Sequence, residues 1–121
     1  MRVAATIGGL FGLPHGLTIG LVLAETMDHD RHAVPDRFAR IAEALGEAPG
    51  ADGEGAVRGV RRILAEIDFP TLRAAGIDES QLDALADLAL ADGFIAVAPA
   101  EWPKPAVVEA YSRALEIGDR R

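Results

Sequence analysis

Residues 3–24 read VAATIGGLFGLPHGLTIGLVLA and contain no Asp, Glu, Lys or Arg. Three interpretations of this stretch compete. The first is a secretory signal or membrane helix, because 22 largely apolar residues are enough to span a bilayer. Against it, the stretch holds five glycines and places Pro14 and His15 at its centre, and a helix breaker beside a charge-capable side chain is a poor membrane core.

The second interpretation is a pair of buried helices joined by a tight connection. Gly8, Gly9 and Gly12 interrupt the apolar run, and Pro14 suits the first position of a helix, where the missing N–H is not needed. From there to about Met27 the chain is apolar on every side, which is typical of a helix at the centre of a domain.

The third interpretation adds a metal site at His15. In the first turn of a helix, His15 meets the backbone N–H groups and the positive end of the helix dipole, which favour the neutral imidazole. The neutral form is the one that binds a metal. A histidine that only caps or packs is the alternative, since one imidazole does not make a site.

After residue 28, apolar residues recur at helical spacing and sustained alternation is absent, which predicts helices and no sheet. Pro35 and Gly46 mark the start and stop of one helix, Gly118 marks the end of the last, and Asp78 and Gln81 form a capping box. We therefore predict an all-α fold, a compact bundle of about five to six helices in a single domain, residues 1–121. The predicted inward stripes are Val34/Phe38/Ile41/Leu45, Val57/Val60/Leu64/Ile67, Leu82/Leu85/Ala86/Ala89 with Leu88 at its edge, and Val107/Val108/Tyr111/Leu115.

Composition excludes several classes of function. The 12 basic and 19 acidic residues give a formal charge of −7, which argues against a nucleic acid or an acidic membrane as partner. The absence of cysteine excludes a disulfide scaffold, a Cys-ligated zinc site and a thiol nucleophile, and it suits a cytoplasmic location.

Four other groups of polar or aromatic residues are interpreted structurally. His29 and His32 are expected at a solvated helix end rather than in a metal pair, and Glu25 at the surface rather than as a general base. A solvated, ion-paired helix face is predicted for Arg58, Arg61 and Arg62. A loop clasped onto the last helix is predicted for Trp102 and Tyr111.

The run GGLFGLPHGL at 8–17 resembles the metal-site segment of the iron-containing (group III, metal-dependent) alcohol dehydrogenases. The order of later segments is also similar to that family, from about residue 7 to residue 116. These segments are IAEALG (41–46), DFPTL (68–72), AGIDE (75–79) and EAYSRAL (109–115). The resemblance implies the C-terminal all-α domain of a two-domain, dehydroquinate-synthase-like enzyme.

The same resemblance implies a metal, Fe²⁺ or Zn²⁺, held in the cleft by one Asp and three His, and NAD(P) as the hydride carrier. It assigns the last metal-ligating histidine to His15. This sequence departs from the family pattern at three places: Ala5 stands where a further His is usual, Ala24 replaces a Pro, and residues 98–100 replace an Asn-Pro-Arg-like signature. The remaining ligands would fall at or before Met1, and no nucleotide-binding half is present.

Two hypotheses for function follow. One is a helical metal-site domain or fragment of an NAD(P)-dependent alcohol dehydrogenase, inactive alone and paired with a nucleotide-binding chain. The other is a non-catalytic helical interaction or oligomerisation module that kept the fold and lost the site. In either case an apolar surface at Leu10, Phe11, Leu13 and Leu17 predicts a homo-oligomer, most simply a two-fold dimer.

Overall fold

The structure is a computed structural model that describes residues 15–91 and 98–120. Within these residues five α-helices and two short 3₁₀ turns occur, and no strand does. The 3₁₀ turns are Ala51–Gly53 and Glu79–Gln81. The helices are α1 (His15–Asp30), α2 (Pro35–Ala44), α3 (Glu54–Glu66), α4 (Leu82–Ala91) and α5 (Lys104–Arg120). The prediction of an all-α fold is confirmed, whereas the predicted glycine breaks at 8–12 lie outside the described residues.

Several helix ends follow local signals in the sequence. Pro35 occupies the start of α2, and Gly46 follows its end at φ +76°, where the N–H of Glu47 donates to the carbonyl of Ala42 at 2.9 Å. The predicted capping box is present before α4. The Gln81 side chain accepts a hydrogen bond from the Asp78 N–H at 3.0 Å, and the Asp78 carboxylate accepts from the Ser80 N–H at 2.9 Å.

The buried side chains form two separate clusters. The larger cluster joins α1, α4 and α5 with the segment between α3 and α4, and Tyr111 and Leu85 are fully buried in it. The smaller cluster lies between α2 and α3 and consists of Phe38, Ala42 and Ala56. Helix α1 packs against both α5 and α3, so it is the element that connects the two clusters.

Three details of the predicted helices are wrong. Ile41 is predicted to face inward on α2, but it is 40% exposed. Helix α5 does not stop at Gly118 but continues to Arg120, because a glycine costs a helix only about 1 kcal/mol relative to alanine and does not end it alone. Ile67 does not continue the inward stripe of α3 and is 62% exposed, because the helix ends at Glu66 and Ile67 is its C-cap. In α4 the predicted stripe is confirmed, with Leu82, Leu85, Ala86 and Ala89 buried.

None of the helices in the described part of the chain combines the length and apolar character needed to cross a bilayer. Helix α1 has 16 residues and carries Glu25, Asp28 and Asp30 in its second half.

Candidate functional site

The sequence predicts that a helix begins at Pro14. In the structure, His15 is the first residue of α1. Its backbone therefore lies at the N-terminal end of the helix, where N–H groups without intrahelical partners and the positive dipole end are found. The His15 side chain lies outside the described part of the structure. The prediction that His15 ligates a metal stays a prediction.

His29 and His32 lie at the opposite end of α1. Fourteen residues separate His29 from His15, which corresponds to about 21 Å along a helix at 1.5 Å per residue. This distance is too long for both imidazoles to ligate one metal ion. His29 and His32 are therefore not part of any site built around His15.

His29 is engaged by the segment that precedes α5. Its Nε2 lies 2.6 Å from the carbonyl oxygen of Glu101, and because a carbonyl only accepts, this nitrogen carries the hydrogen. The imidazole also stacks on Trp102, with ring centroids 3.9 Å apart. The neighbouring Asp30 accepts a hydrogen bond from the Trp102 Nε1 at 3.0 Å. The predicted clasp thus exists, but its polar contacts join the loop to the end of α1 rather than to α5.

Glu25 is the feature of this region that the sequence prediction missed. We expect a surface residue from its place at the end of the uncharged stretch, yet its side chain is only 4% exposed. The Nη2 of Arg61, 36 residues away on α3, donates to both of its carboxylate oxygens, at 2.9 and 3.0 Å. The one signal for such a buried pair is a charged residue that directly follows the apolar first half of α1.

Burial is the dominant influence on Glu25 and raises its pKa above the ordinary value of 4.5. Arg61 acts in the opposite direction, through its charge and its hydrogen bond, and Arg113 adds a smaller lowering. The free-energy cost of removing the carboxylate from water thus exceeds the stabilisation that Arg61 and Arg113 give to its charged form. The protonated form of Glu25 is favoured in the folded protein relative to the unfolded chain.

Next to this ion pair is a small cavity of about 30 Å³. It is bounded by α1, α3, α5 and the segment after α3. The Nε of Arg61 is buried and has no hydrogen-bond partner among the described residues. The cavity is large enough for about one water molecule and far too small for a substrate or cofactor. Its lining includes Gly20, Ala24, Glu25, Arg61, Leu64, Phe69, Thr71 and Ala114.

A wider groove of about 240 Å³ runs between the end of α1 and α5. Its charged groups are already paired with one another. Arg113 donates to Asp28 at 3.2 Å and to Glu109 at 2.9 Å, while Arg31 also donates to Asp28 at 2.8 Å. The groove is lined by Glu25, Asp28, His29, His32, Ala106, Glu109, Ala110 and Arg113. Mutual pairing leaves no set of free ligands for an ion.

The exposed side of α3 agrees with the predicted ion-paired face. Arg62 donates to Glu47 at 3.0 Å, and Arg58 donates to Glu47 at 3.2 Å and to Glu54. Arg61 departs from this pattern, since it turns inward to Glu25. The prediction is confirmed for Arg58 and Arg62, and wrong for Arg61.

Across residues 15–91 and 98–120, no three side chains of His, Cys, Asp or Glu are grouped so that they could hold a metal ion. A site with three such ligands would need at least one of them from outside these ranges.

The chain is similar in sequence and in fold to proteins of one known family. Residues 2–115 match the C-terminal domain model of the Fe-containing alcohol dehydrogenase family. The chain belongs to this family. The match covers nearly the whole sequence, and it includes the Pro-His-Gly segment at 14–16.

Individual relatives agree with this assignment. The 1,3-propanediol dehydrogenase of Citrobacter freundii is 31% identical over 121 residues, which cover 93% of this chain and 31% of that protein. Maleylacetate reductase from Rhizobium sp. is 32% identical, over 95% of this chain and 30% of its own length. The crystal structure of a 1,3-propanediol oxidoreductase superposes with a TM-score of 0.85 at 28% identity, covering 93% of this chain and 31% of the other.

The chain spans about a third of the length of the relatives that it matches. The part that it matches has the same helical fold as the alcohol dehydrogenase of Oenococcus oeni, with a TM-score of 0.84 at 24% identity. The predicted family and fold are confirmed.

The buried Glu25 gives a testable dependence of stability on pH. Its pKa is raised on folding, so its contribution to stability is present when it is protonated and is lost as the pH rises through the folded-state pKa. Glu25→Gln keeps the shape and an acceptor for Arg61 but has no charge to desolvate. We expect the variant to be more stable than the wild type at pH 7, and the difference to shrink as the pH falls and Glu25 becomes protonated.

Chemical denaturation at several pH values from 4 to 7.5 measures this difference. Glu47→Gln is the matched control, because Arg62 and Arg58 lower the pKa of Glu47. The expected change in stability at pH 7 therefore has the opposite sign. Glu47→Gln should lose stability at pH 7 and approach the wild type as the pH falls. A Glu25→Gln variant that is less stable than the wild type at pH 7 would contradict the role assigned to burial.

Proposed function

We propose that this chain supplies the helical, metal-site part of an iron-containing alcohol dehydrogenase-like oxidoreductase. In this proposal His15 holds Fe²⁺ or Zn²⁺ at the start of α1, facing a nucleotide-binding partner that carries NAD(P). The observation that carries the proposal is the position of His15. It lies in the Pro-His-Gly segment of the family match and is the first residue of the helix around which the larger cluster is built.

The chemical fit rests on the donor type. A neutral imidazole at a helix N-terminus is a competent ligand for either metal, because the helix dipole disfavours its protonated form. When bound, the metal polarises an alcohol or carbonyl oxygen while NAD(P) exchanges the hydride. The role of this chain would be to fix the orientation of one ligand through the packing of α1 against α5.

The partner follows from the length of the relatives and from the missing ligands. The chain corresponds to about a third of the two relatives named above, and no three side chains in the described ranges are grouped as metal ligands. We propose that the remaining ligands and the cofactor site come from a nucleotide-binding chain or domain, and that this chain is inactive alone. An upstream reading frame encoding a Rossmann-like half with Asp-x-x-x-His would be the candidate. Reduction of aldehydes with NAD(P)H by the mixture, and by neither chain alone, is the expected result.

A second candidate is a non-catalytic helical module that has the family fold and no metal. The substitution of Ala5 for a usual His supports it, because one fewer ligand weakens any site. The two candidates differ in metal binding. Both agree with self-association through Leu10, Phe11, Leu13 and Leu17, since an apolar surface of this kind is rarely left exposed on a monomer.

The test measures metal content and solution mass of the isolated chain together. After loading with Fe²⁺ under anaerobic conditions or with Zn²⁺, we expect weak binding that His15→Ala abolishes without change in helix content. His32→Ala is the control, because His32 is exposed at the far end of α1 and should leave binding unchanged. Equal metal content in His15→Ala and the wild type would remove His15 from the site, and a monomeric mass at high concentration would contradict self-association.

A further inference from the structure

The two halves of the domain differ greatly in the size of their apolar cores. Among the described residues, the larger cluster contains fourteen buried residues, including Tyr111, Leu72 and Leu115. Within the same ranges the smaller cluster, between α2 and α3, contains Phe38, Ala42 and Ala56, with Met27 and Val34 partly buried against it. Because stabilisation by burial grows with apolar area, and alanine contributes little area, the α2–α3 half gains much less from its own packing.

Several of the contacts that attach α2 and α3 to the rest are polar. Arg61 of α3 meets Glu25 of α1, and Arg31 donates to the carbonyl oxygen of Ala51 at 3.0 Å. His32 lies 3.5 Å from Asp52, with both side chains more than half exposed. Exposed polar contacts of this kind contribute little each, and the buried pair carries a desolvation cost.

The boundary between the halves is also imperfectly packed. The 30 Å³ cavity lies where α3 meets α1 and α5, and the unpartnered Nε of Arg61 is buried beside it. A cavity between packed helices removes direct apolar contact there, so the boundary gains less from packing even when a water molecule occupies it. This cavity lies between α3 and the larger cluster.

From these three observations we infer that α2 and α3 open from the domain as one unit, hinged at the end of α1, while the larger cluster stays folded. Opening uncovers Glu25, Arg61 and the side of α1 that carries Met27. The hinge lies at residues 31–34, a turn between α1 and α2, and at the segment from residue 67 to residue 71 after α3. The larger cluster keeps α1, α4 and α5 packed throughout.

Native-state hydrogen exchange of the full chain, read by mass spectrometry in increasing urea, tests this inference. In the wild type we expect the slowest amides of α2 and α3 to exchange at least tenfold faster than those of α5. Their exchange should also depend less steeply on urea, because a partial opening exposes less surface than global unfolding. A common rate and a common urea dependence for all five helices would overturn the inference.

Val107→Ala separates partial from global opening, because Val107 is fully buried in the larger cluster and remote from α2 and α3 in the core. If α2 and α3 open separately, the variant accelerates exchange in α5 about tenfold and leaves α2 and α3 unchanged within twofold. If the domain opens only as a whole, exchange accelerates equally in every helix and the inference fails. Should Val107→Ala not fold, the urea series on the wild type still decides between the two.

Discussion

Gly55→Ala is expected to lower the free energy of unfolding by about 3 kcal/mol, because overpacking against backbone leaves no cheap way to relax. A Cβ at this position would lie 1.9 Å from the carbonyl oxygen of Ala48 and 3.1 Å from the Cβ of Ala42. The backbone cannot yield easily, since the Gly55 N–H donates to the carbonyl of Pro49 at 2.8 Å. The loop from 47 to 53 is therefore held against the start of α3 only if residue 55 has no side chain.

Gly16→Ala is the matched control for this change, since a Cβ there meets none of the described residues within 4 Å. Alanine is the better helix former, so the control should be neutral or stabilising by up to about 1 kcal/mol. Urea denaturation followed by circular dichroism compares the two variants. Similar stability for Gly55→Ala and the wild type would show that the approach of residues 48 and 55 is not as close as described.

Leu85→Ala is expected to lower the free energy of unfolding by about 3 kcal/mol. Leu85 is completely buried at the centre of the larger cluster, where α4 packs on α5, and its truncation leaves a cavity that the surrounding helices cannot fill. Because α1, α4 and α5 all depend on this cluster, the loss affects the whole bundle.

Leu88→Ala, three residues along the same helix, is the control for Leu85→Ala. Leu88 is 48% exposed, so its truncation should cost less than about 1 kcal/mol. Thermal and urea unfolding of both variants give the comparison. An equal loss from the two changes would mean that the Leu88 side of α4 is covered in solution, for example by a partner.

The relation between the halves bears on the proposed function. His15 begins the helix that connects both clusters, so the position of that imidazole depends on the packing of α1 against α5 in the larger cluster. Opening of α2 and α3 at the far end of α1 would leave this packing intact. The end of α1 that carries His15 and the end next to residues 31–34 are about 21 Å apart. Different contacts support these two ends.

Local signals were sufficient for much of the fold. Pro35, Gly46 and the pair Asp78 and Gln81 placed helix boundaries correctly, because capping and left-handed turns depend on residues within a few positions of each other. The stripe through Leu82 and Leu85 predicted a buried face because helical periodicity is itself local. The prediction that α5 ends at Gly118 is wrong, since one glycine weakens a helix without ending it.

The sequence by itself determined the helical class, the order of the helices and, through the Pro-His-Gly segment and the segments after it, the family. These properties depend on spacing along the chain. Only the tertiary structure decided that Glu25 is buried against Arg61 rather than exposed, and that Trp102 is fastened to Asp30 and His29. Each of these contacts joins residues at least 36 positions apart. A pairing over such separations depends on how helices cross in space, which no local pattern encodes.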